Sequence, residues 1–267
     1  RLDLDDINFD VNDANTVSTI EDTLLSEDEL KQLFAIDILW KLPLTPWKNT
    51  LEFLFTNGTL PVQRAILELA WNDDETIPDN LVLNKIMAED EVSPYALICY
   101  NDRGLDQSSI NNYLTHENTI LKIAYAITVL SNQKNHNQAL NVLNEIHKSK
   151  IPNHKIQLLS FIKKFPKIFS DEYIIEYLSD NSSDIKNATL DFLISNPKNV
   201  FFEKIVFLLA KPETEKKAKQ AILALNKSWT FEKLIKILSN PATETKYAKS
   251  ILNIMHSFDD KRLIKII

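Results

Sequence analysis

Histidine and cysteine, the side chains that most often bind transition metals, are few in this 267-residue chain. A metal site needs several such ligands at short, regular spacings. The single cysteine, Cys99, lies in an apolar stretch and excludes an internal disulfide. The five histidines, at positions 116, 136, 147, 154 and 256, show no such spacing, and only His147 and His154 flank one predicted loop. The sequence therefore predicts no metal and no cofactor.

Groupings of catalytic side chains are also missing. Carboxylates cluster in polar segments such as NDDETIPD (72–79), which are typical of solvated turns rather than of a general acid or base. The whole chain has two glycines. This excludes glycine-rich phosphate loops, which need backbone conformations that only glycine tolerates. No Ser, His and Asp grouping can be assembled from the spacing, so we expect the protein not to be an enzyme.

Charge is divided between the two halves of the chain. Residues 1–133 hold 8 Lys+Arg and 23 Asp+Glu, a net of −15, and residues 134–267 hold 22 and 14, a net of +8. The recurring lysines have two interpretations. Each lysine pairs with a polar residue of its own or the neighbouring repeat, or the lysines form a basic strip that could bind an acidic partner or anionic lipid headgroups. The candidates are Lys122, Lys186, Lys216, Lys219, Lys246 and Lys249.

Aromatic side chains at exposed helix ends often anchor partner proteins. Three tryptophans, Trp47, Trp71 and Trp229, fall at predicted joints or helix ends and are candidate contacts. Packing within the core or at a joint is the alternative for each.

The element that must position these side chains is a repeat. A leucine or isoleucine precedes a small or apolar residue by ten to twelve positions along the whole chain, beginning with Leu25 and Ala35. We call the second member of each pair the key residue, and consecutive key residues stand 28 to 34 positions apart. They are Ala35, Ala65, Ala96, Ala124, Leu158, Ala188, Ala218 and Ala248.

Each unit predicts two helices. The first helix ends at the leucine, a short polar turn follows, and the second helix carries the key residue with another apolar residue three or four positions later. A small key side chain lets two helix axes approach closely. No single pair can bury its apolar face, so the pairs must stack. The sequence predicts an all-α fold, a right-handed α-solenoid of about eight helical pairs.

Two segments, LSDNSSDIKNATLDFL (178–193) and LFTNGTLPVQRAILELA (54–70), resemble HEAT repeats of the short variety. Asp180, Ile185, Lys186 and Ala188 match the family pattern of a polar residue, an aliphatic–basic pair and an alanine. The second and third units depart from it, with Gln63 and Pro94 at the basic position. The resemblance covers about residues 15–256 and implies the fold more than a function. The iron-binding class of HEAT-like enzymes, the deoxyhypusine hydroxylases, uses repeated His-Glu pairs; this chain has one, His116-Glu117.

The two ends of the chain differ from the repeat. Residues 1–14 predict an extended acidic lead-in, residues 15–256 the eight units, and residues 257–267 the first helix of a cut ninth unit. We therefore expect a piece of a longer protein. Residues 2–43 also look like the entry into HEAT repeats attached to bacterial nucleotide-carrier-like membrane proteins of the major-facilitator type. That resemblance implies a cytoplasmic module tethered to the inner membrane, and no apolar run in this chain is long enough to span a bilayer.

Two functions remain in competition. The leading hypothesis is a non-enzymatic scaffold whose concave face binds a protein or peptide. The alternative is a nucleic-acid-binding or nucleic-acid-processing HEAT-like enzyme of the DNA glycosylase type. Such binders favour arginine and an overall basic domain, whereas this chain carries a net charge of −7.

Overall fold

The computed structural model describes residues 13–40, 42–71, 76–102, 112–132, 136–240 and 245–258. These residues form helices and connecting turns, with no strand among them, which confirms the predicted all-α class. The chain divides into two compact units, Arg1–Val142 and Leu143–Ile267. Most of the predicted acidic lead-in and of the ninth-unit helix lies outside the described residues.

Helices α1 to α7 belong to the first unit. They are α1 Ala14–Leu24, α2 Glu29–Leu39, α3 Lys48–Asn57, α4 Leu60–Ala70, α5 Asp79–Met87, α6 Ser93–Asp102 and α7 Thr119–Asn132. The division between the units falls within α8, Asn137–Lys148. The second unit continues with α9 Pro152–Ile162, α10 Asp171–Leu178, α11 Ser183–Ser195, α12 Phe202–Leu208, α13 Pro212–Leu223, α14 Lys227–Leu238 and α15 Thr245–Ser257. Short 3-10 helices cover Thr45–Trp47, Pro166–Ile168 and Asn199–Phe201.

The helices begin where the sequence carries capping residues or prolines. The Asp13 carboxylate accepts hydrogen bonds from the first backbone N–H groups of α1, and the Ser182 hydroxyl accepts one from the backbone N–H of Ile185 in α11. Both contacts satisfy donors that have no partner within the helix. Prolines occupy the first turns of α4, α9 and α13, where a missing N–H costs least.

The helices pack as pairs, and the pairs stack through their second members. In the first unit α1 packs on α2, α3 on α4 and α5 on α6, while α2, α4, α6 and α7 contact one another in that order. In the second unit α10, α12 and α14 pack on α11, α13 and α15, while α9, α11, α13 and α15 contact one another in that order. Within each unit this is the stacking that the repeat predicts. The right-handed superhelix stays a prediction.

The key residues all lie on these second helices. Ala35, Ala96, Ala124, Leu158 and Ala218 are fully buried. Ala65, Ala188 and Ala248 are half-buried. All eight key residues are thus at least half-buried, and the close helix crossings that the small side chains imply stay a prediction.

In the first repeat, the leucine predicted to close helix α1 is off by one position. Leu25 is 51% exposed, whereas its neighbour Leu24 is fully buried. Leu24 is the last residue of α1 and Leu25 is its C-cap. One residue turns the side chain by about 100° around a helix axis, so only one of the two can face α2.

Polar side chains also join neighbouring pairs at the repeat distance. The Thr50 hydroxyl donates to the Glu21 carboxylate at 2.8 Å across 29 positions. The Tyr173 hydroxyl donates to the Asn144 side-chain oxygen at 2.9 Å, also across 29 positions. Other contacts of this kind span 24 to 35 positions. Each pair is thus tied to the pair next to it.

Candidate functional site

The second helices of each unit form a surface of parallel rows, which we call the second-helix face. Its most regular row consists of the residue immediately before each key residue. In the first unit this row contains Phe34, Arg64, Tyr95 and Ile123 on α2, α4, α6 and α7; the first two are exposed and the last two are buried. The Arg64 guanidinium lies 4.3 Å from the centroid of the Tyr95 ring, and its Nε donates to the Glu68 carboxylate at 2.9 Å. Arg64 is therefore already engaged within the protein.

In the second unit the same row is polar. Asn187 on α11 donates its side-chain N–H to the backbone carbonyl of Glu213 at 3.0 Å. The Lys217 ammonium on α13 pairs with the Asp191 carboxylate on α11. These contacts link α11 to α13, the second helix of the next pair, so the lysine and the asparagine serve the stacking of pairs.

The six candidate lysines do not form one exposed strip. Lys186 is only 7% exposed, Lys122 and Lys219 are half-buried, and Lys216 and Lys249 are exposed. The side chain of Lys246 lies outside the described residues. The Lys219 ammonium lies 3.0 Å from the Glu215 carboxylate one helical turn earlier. The position two before the key residue therefore ranges from the packed interior to the surface.

Lys186, itself buried, lies among charged residues that are partly or fully exposed. Burial and the neighbouring Lys211 ammonium lower the pKa of Lys186, while Asp180 and Glu213 act in the opposite direction. Asp180 accepts hydrogen bonds from the Ser182 N–H at 2.9 Å and from the Lys155 ammonium at 3.3 Å. Burial alone would raise the pKa of Asp180, but these contacts outweigh it and hold the pKa below its ordinary value. For Lys186, the surrounding charges are compatible with the intramolecular interpretation, whereas the choice between pairing and a binding strip for the six lysines stays open.

The three candidate tryptophans differ in accessibility. Trp47 is fully buried and donates its indole N–H to the Val17 carbonyl at 3.1 Å. Trp71 is 8% exposed and donates to the Tyr95 carbonyl at 3.4 Å. Side chains buried this deeply stabilise their own unit and cannot reach a partner. Trp229 is half-buried, and its ring meets the Phe202 ring edge-on at 5.2 Å.

Among the histidines, His147 contacts the next pair, whereas His154 makes a local contact. His147 Nε2 lies 2.8 Å from the Glu176 carboxylate, and the His147 ring lies 4.1 Å from the Tyr173 ring. His154 contacts the Ser149 hydroxyl at 3.4 Å. Within the described part of the chain, no group of three or more His, Cys, Asp or Glu residues is arranged to hold a metal ion.

Sequence reasoning missed the exposed apolar side chains of the second-helix face. Leu30 is 75% exposed, Phe34 43% and Leu60 40%. Apolar residues in an amphipathic helix are expected to be buried, so the sequence alone does not mark Leu30, Phe34 and Leu60 as exposed. One signal was present: Leu30 and Leu60 each stand five positions before a key alanine, so they occupy the same place in consecutive units.

Comparison with protein-family models and with curated proteins finds no match to this chain. None of the described helices is long and apolar enough to cross a bilayer.

Proposed function

We propose that this protein is a non-enzymatic interaction scaffold built from HEAT-like repeats, and that its second-helix face binds a protein or peptide. The observation that carries the proposal is the exposure of Leu30, Phe34 and Leu60 on neighbouring helices of that face. Exposed apolar side chains grouped on one surface commonly mark protein-binding sites. A stack of helical pairs offers such a surface without any catalytic group.

The lysines of the second unit favour this function over the nucleic-acid alternative. Lys155, Lys198 and Lys217 pair with the carboxylates of Asp180, Asp171 and Asp191. A lysine held by a carboxylate contributes little to phosphate binding, because its charge is already neutralised. Three of the 22 basic residues in the second half of the chain are in this way engaged within the protein.

We also propose, from the resemblance of residues 2–43, that the scaffold works on the cytoplasmic side of a transporter-like membrane protein. Fractionation of the source cells tests this location. Recovery with the inner membrane, and release by protease treatment of inverted vesicles, is the expected result. Recovery in the periplasm would contradict it.

Site-specific photo-crosslinking tests the binding face. Phe34 on α2 is replaced by benzoylphenylalanine. The matched control carries the same substitution at Phe53, which is 55% exposed on α3, the first helix of its pair. We expect protein adducts from position 34 in the source cells and far fewer from position 53. Equal adducts at both positions would remove the second-helix face as the binding surface. Tight DNA or RNA binding that falls steeply with salt would favour the nucleic-acid alternative.

A further inference from the structure

Three large apolar side chains form an exposed group that we call the α2–α4 patch: Leu30 and Phe34 on α2 and Leu60 on α4. Leu30 and Phe34 are four residues apart, so they lie one above the other on one face of α2. Leu60 takes the place of Leu30 in the next unit, and α4 packs against α2. The patch therefore extends across two neighbouring helices.

The spacing of the patch matches the anchors of an amphipathic helix. Neighbouring packed helices are separated by about 8–10 Å. Residues i and i+7 of a helix lie on one face about 10.5 Å apart along its axis. A helix laid across α2 and α4 could place one anchor against Leu30 and Phe34 and another against Leu60. Binding of an apolar helical face in this manner is a common mode of peptide recognition.

The charges around the patch are mainly negative. Glu27, Asp28 and Glu29 stand immediately before Leu30, and Glu91 occupies the corresponding place in the third unit. Two exposed bases also lie here: Lys31 in the same turn of α2, and Arg64 one turn after Leu60 on α4, which is paired with Glu68. Over the whole first unit, residues 1–142, 9 Lys+Arg face 23 Asp+Glu, a net of −14. A partner with basic residues beside its apolar anchors would complement this field.

We propose that the α2–α4 patch binds an amphipathic helix of a partner protein, with aliphatic anchors on one face and Lys or Arg residues flanking them. The inference rests on the proposed scaffold function and names the chemistry of its partner. Apolar contact supplies most of the affinity, and the acidic surroundings select a basic partner over an acidic one.

Two synthetic peptides test the chemistry of the partner. Both have about 16 residues, capped termini, and leucines at i, i+4 and i+7 in an alanine background; one is flanked by lysines and the other by glutamates. Fluorescence anisotropy with the full 267-residue chain measures both affinities. We expect the basic peptide to bind at least about tenfold more tightly, with a preference that shrinks as salt rises. Equal binding of the two peptides, or no binding of the basic one, would overturn the inference.

Two variants locate the binding. The double substitution Leu30→Ser and Phe34→Ser should weaken binding of the basic peptide by about ten- to a hundredfold, because two apolar anchors lose their partners. Phe207→Ser is the matched control, since Phe207 is 63% exposed on α12 of the other unit. It should leave the affinity unchanged. A circular dichroism spectrum and a denaturation midpoint for each variant show that the fold is retained. Unchanged affinity in the double variant would overturn the inference.

Sedimentation of the wild-type chain without peptide tests a different occupant. A dimer that the Leu30→Ser and Phe34→Ser substitutions dissociate would assign the patch to a second copy and overturn the inference. Failure of the basic peptide, together with a protein adduct from benzoylphenylalanine at position 34, would remove the basic helix but leave the scaffold function standing. If the basic peptide does not bind and position 34 gives no protein adduct, the scaffold function is wrong as well.

Discussion

Ala218→Leu is the substitution that most directly tests the packing of the repeat. Ala218 is fully buried at the key position of α13, and α13 contacts α11, α12 and α15. Leucine adds three carbon atoms at this crossing. Protein interiors are packed as closely as organic crystals, so the added atoms must displace neighbouring helices or adopt a strained rotamer. Overpacking of this kind typically costs about 1–3 kcal/mol.

Urea unfolding followed by circular dichroism measures this cost. With an m-value of about 2–3 kcal/mol per molar urea, a loss of about 2 kcal/mol lowers the midpoint by about 0.7–1 M. Hydrogen exchange adds the location: peptides from α11, α13 and α15 should lose protection, because each pair of a repeat protein depends on its neighbours. Peptides from α2 and α4 in the first unit should keep theirs.

The matched control is Gln220→Leu, which places the same side chain at an exposed position of the same helix. It should change the unfolding free energy by no more than about 0.5 kcal/mol. If Ala218→Leu and Gln220→Leu give the same midpoint, the key position is not a close crossing, and the account of the repeat is wrong.

Three further predictions concern single side chains. Leu24→Ala should lower the unfolding free energy by about 2–5 kcal/mol, because Leu24 is fully buried. Leu25→Ala next to it should change the unfolding free energy by less than about 1 kcal/mol. Thermal unfolding compares the two variants, and equal effects would contradict the observed burial. Asp180→Asn should destabilise the protein at pH 7. Because the pKa of Asp180 is lowered in the folded protein, its contribution is complete above the ordinary carboxyl pKa of about 3.9 and is lost as the pH falls through the lowered value. The difference between wild type and variant in urea midpoints should therefore shrink on acidification, and a difference that grows would refute the pairing. Lys186→Met should leave the unfolding free energy unchanged or raise it by up to about 1 kcal/mol. The methionine keeps the buried aliphatic stem and removes an ammonium whose pKa is lowered by burial. A clear fall in the unfolding free energy would show instead that the ammonium is a stabilising partner of Asp180.

The repeat could be predicted from the sequence because its signals are local. A small residue such as Ala96 or Ala218 recurs about every thirty positions, since each unit solves the same packing problem. Proline at the starts of α4, α9 and α13 marks boundaries that depend on one residue alone. Both kinds of signal can be recognised in the sequence without knowing which residues are neighbours in space.

The roles of individual side chains could not be predicted in the same way, because they depend on neighbours about one unit away. Lys186 is buried and interacts with the charges of Lys211, Asp180 and Glu213, whereas Lys216, at the same place one repeat later, is exposed. Leu24 and Leu25 are chemically identical, and the helix period at a frayed end does not separate them.

The exposure of Leu30 and Phe34 follows from the arrangement of pairs within the first unit. Each second helix buries one side against its own first helix and its flanks against the second helices before and after it. At the position before the key residue, the second unit has Asn187 and Lys217, which are paired within the protein. The first repeat has Phe34 at this position and the second has Arg64, and both repeats have a leucine, Leu30 or Leu60, four positions earlier. Leu30 is 75% exposed and Phe34 43%, so both leave apolar surface in contact with water that a partner could cover. The exposure of Leu30 and Phe34 gives the last prediction. Leu30→Ser with Phe34→Ser should not lower the urea midpoint of the chain alone, although it should weaken binding to the basic peptide. A midpoint that falls as far as that of Leu24→Ala would show instead that the two side chains belong to the core.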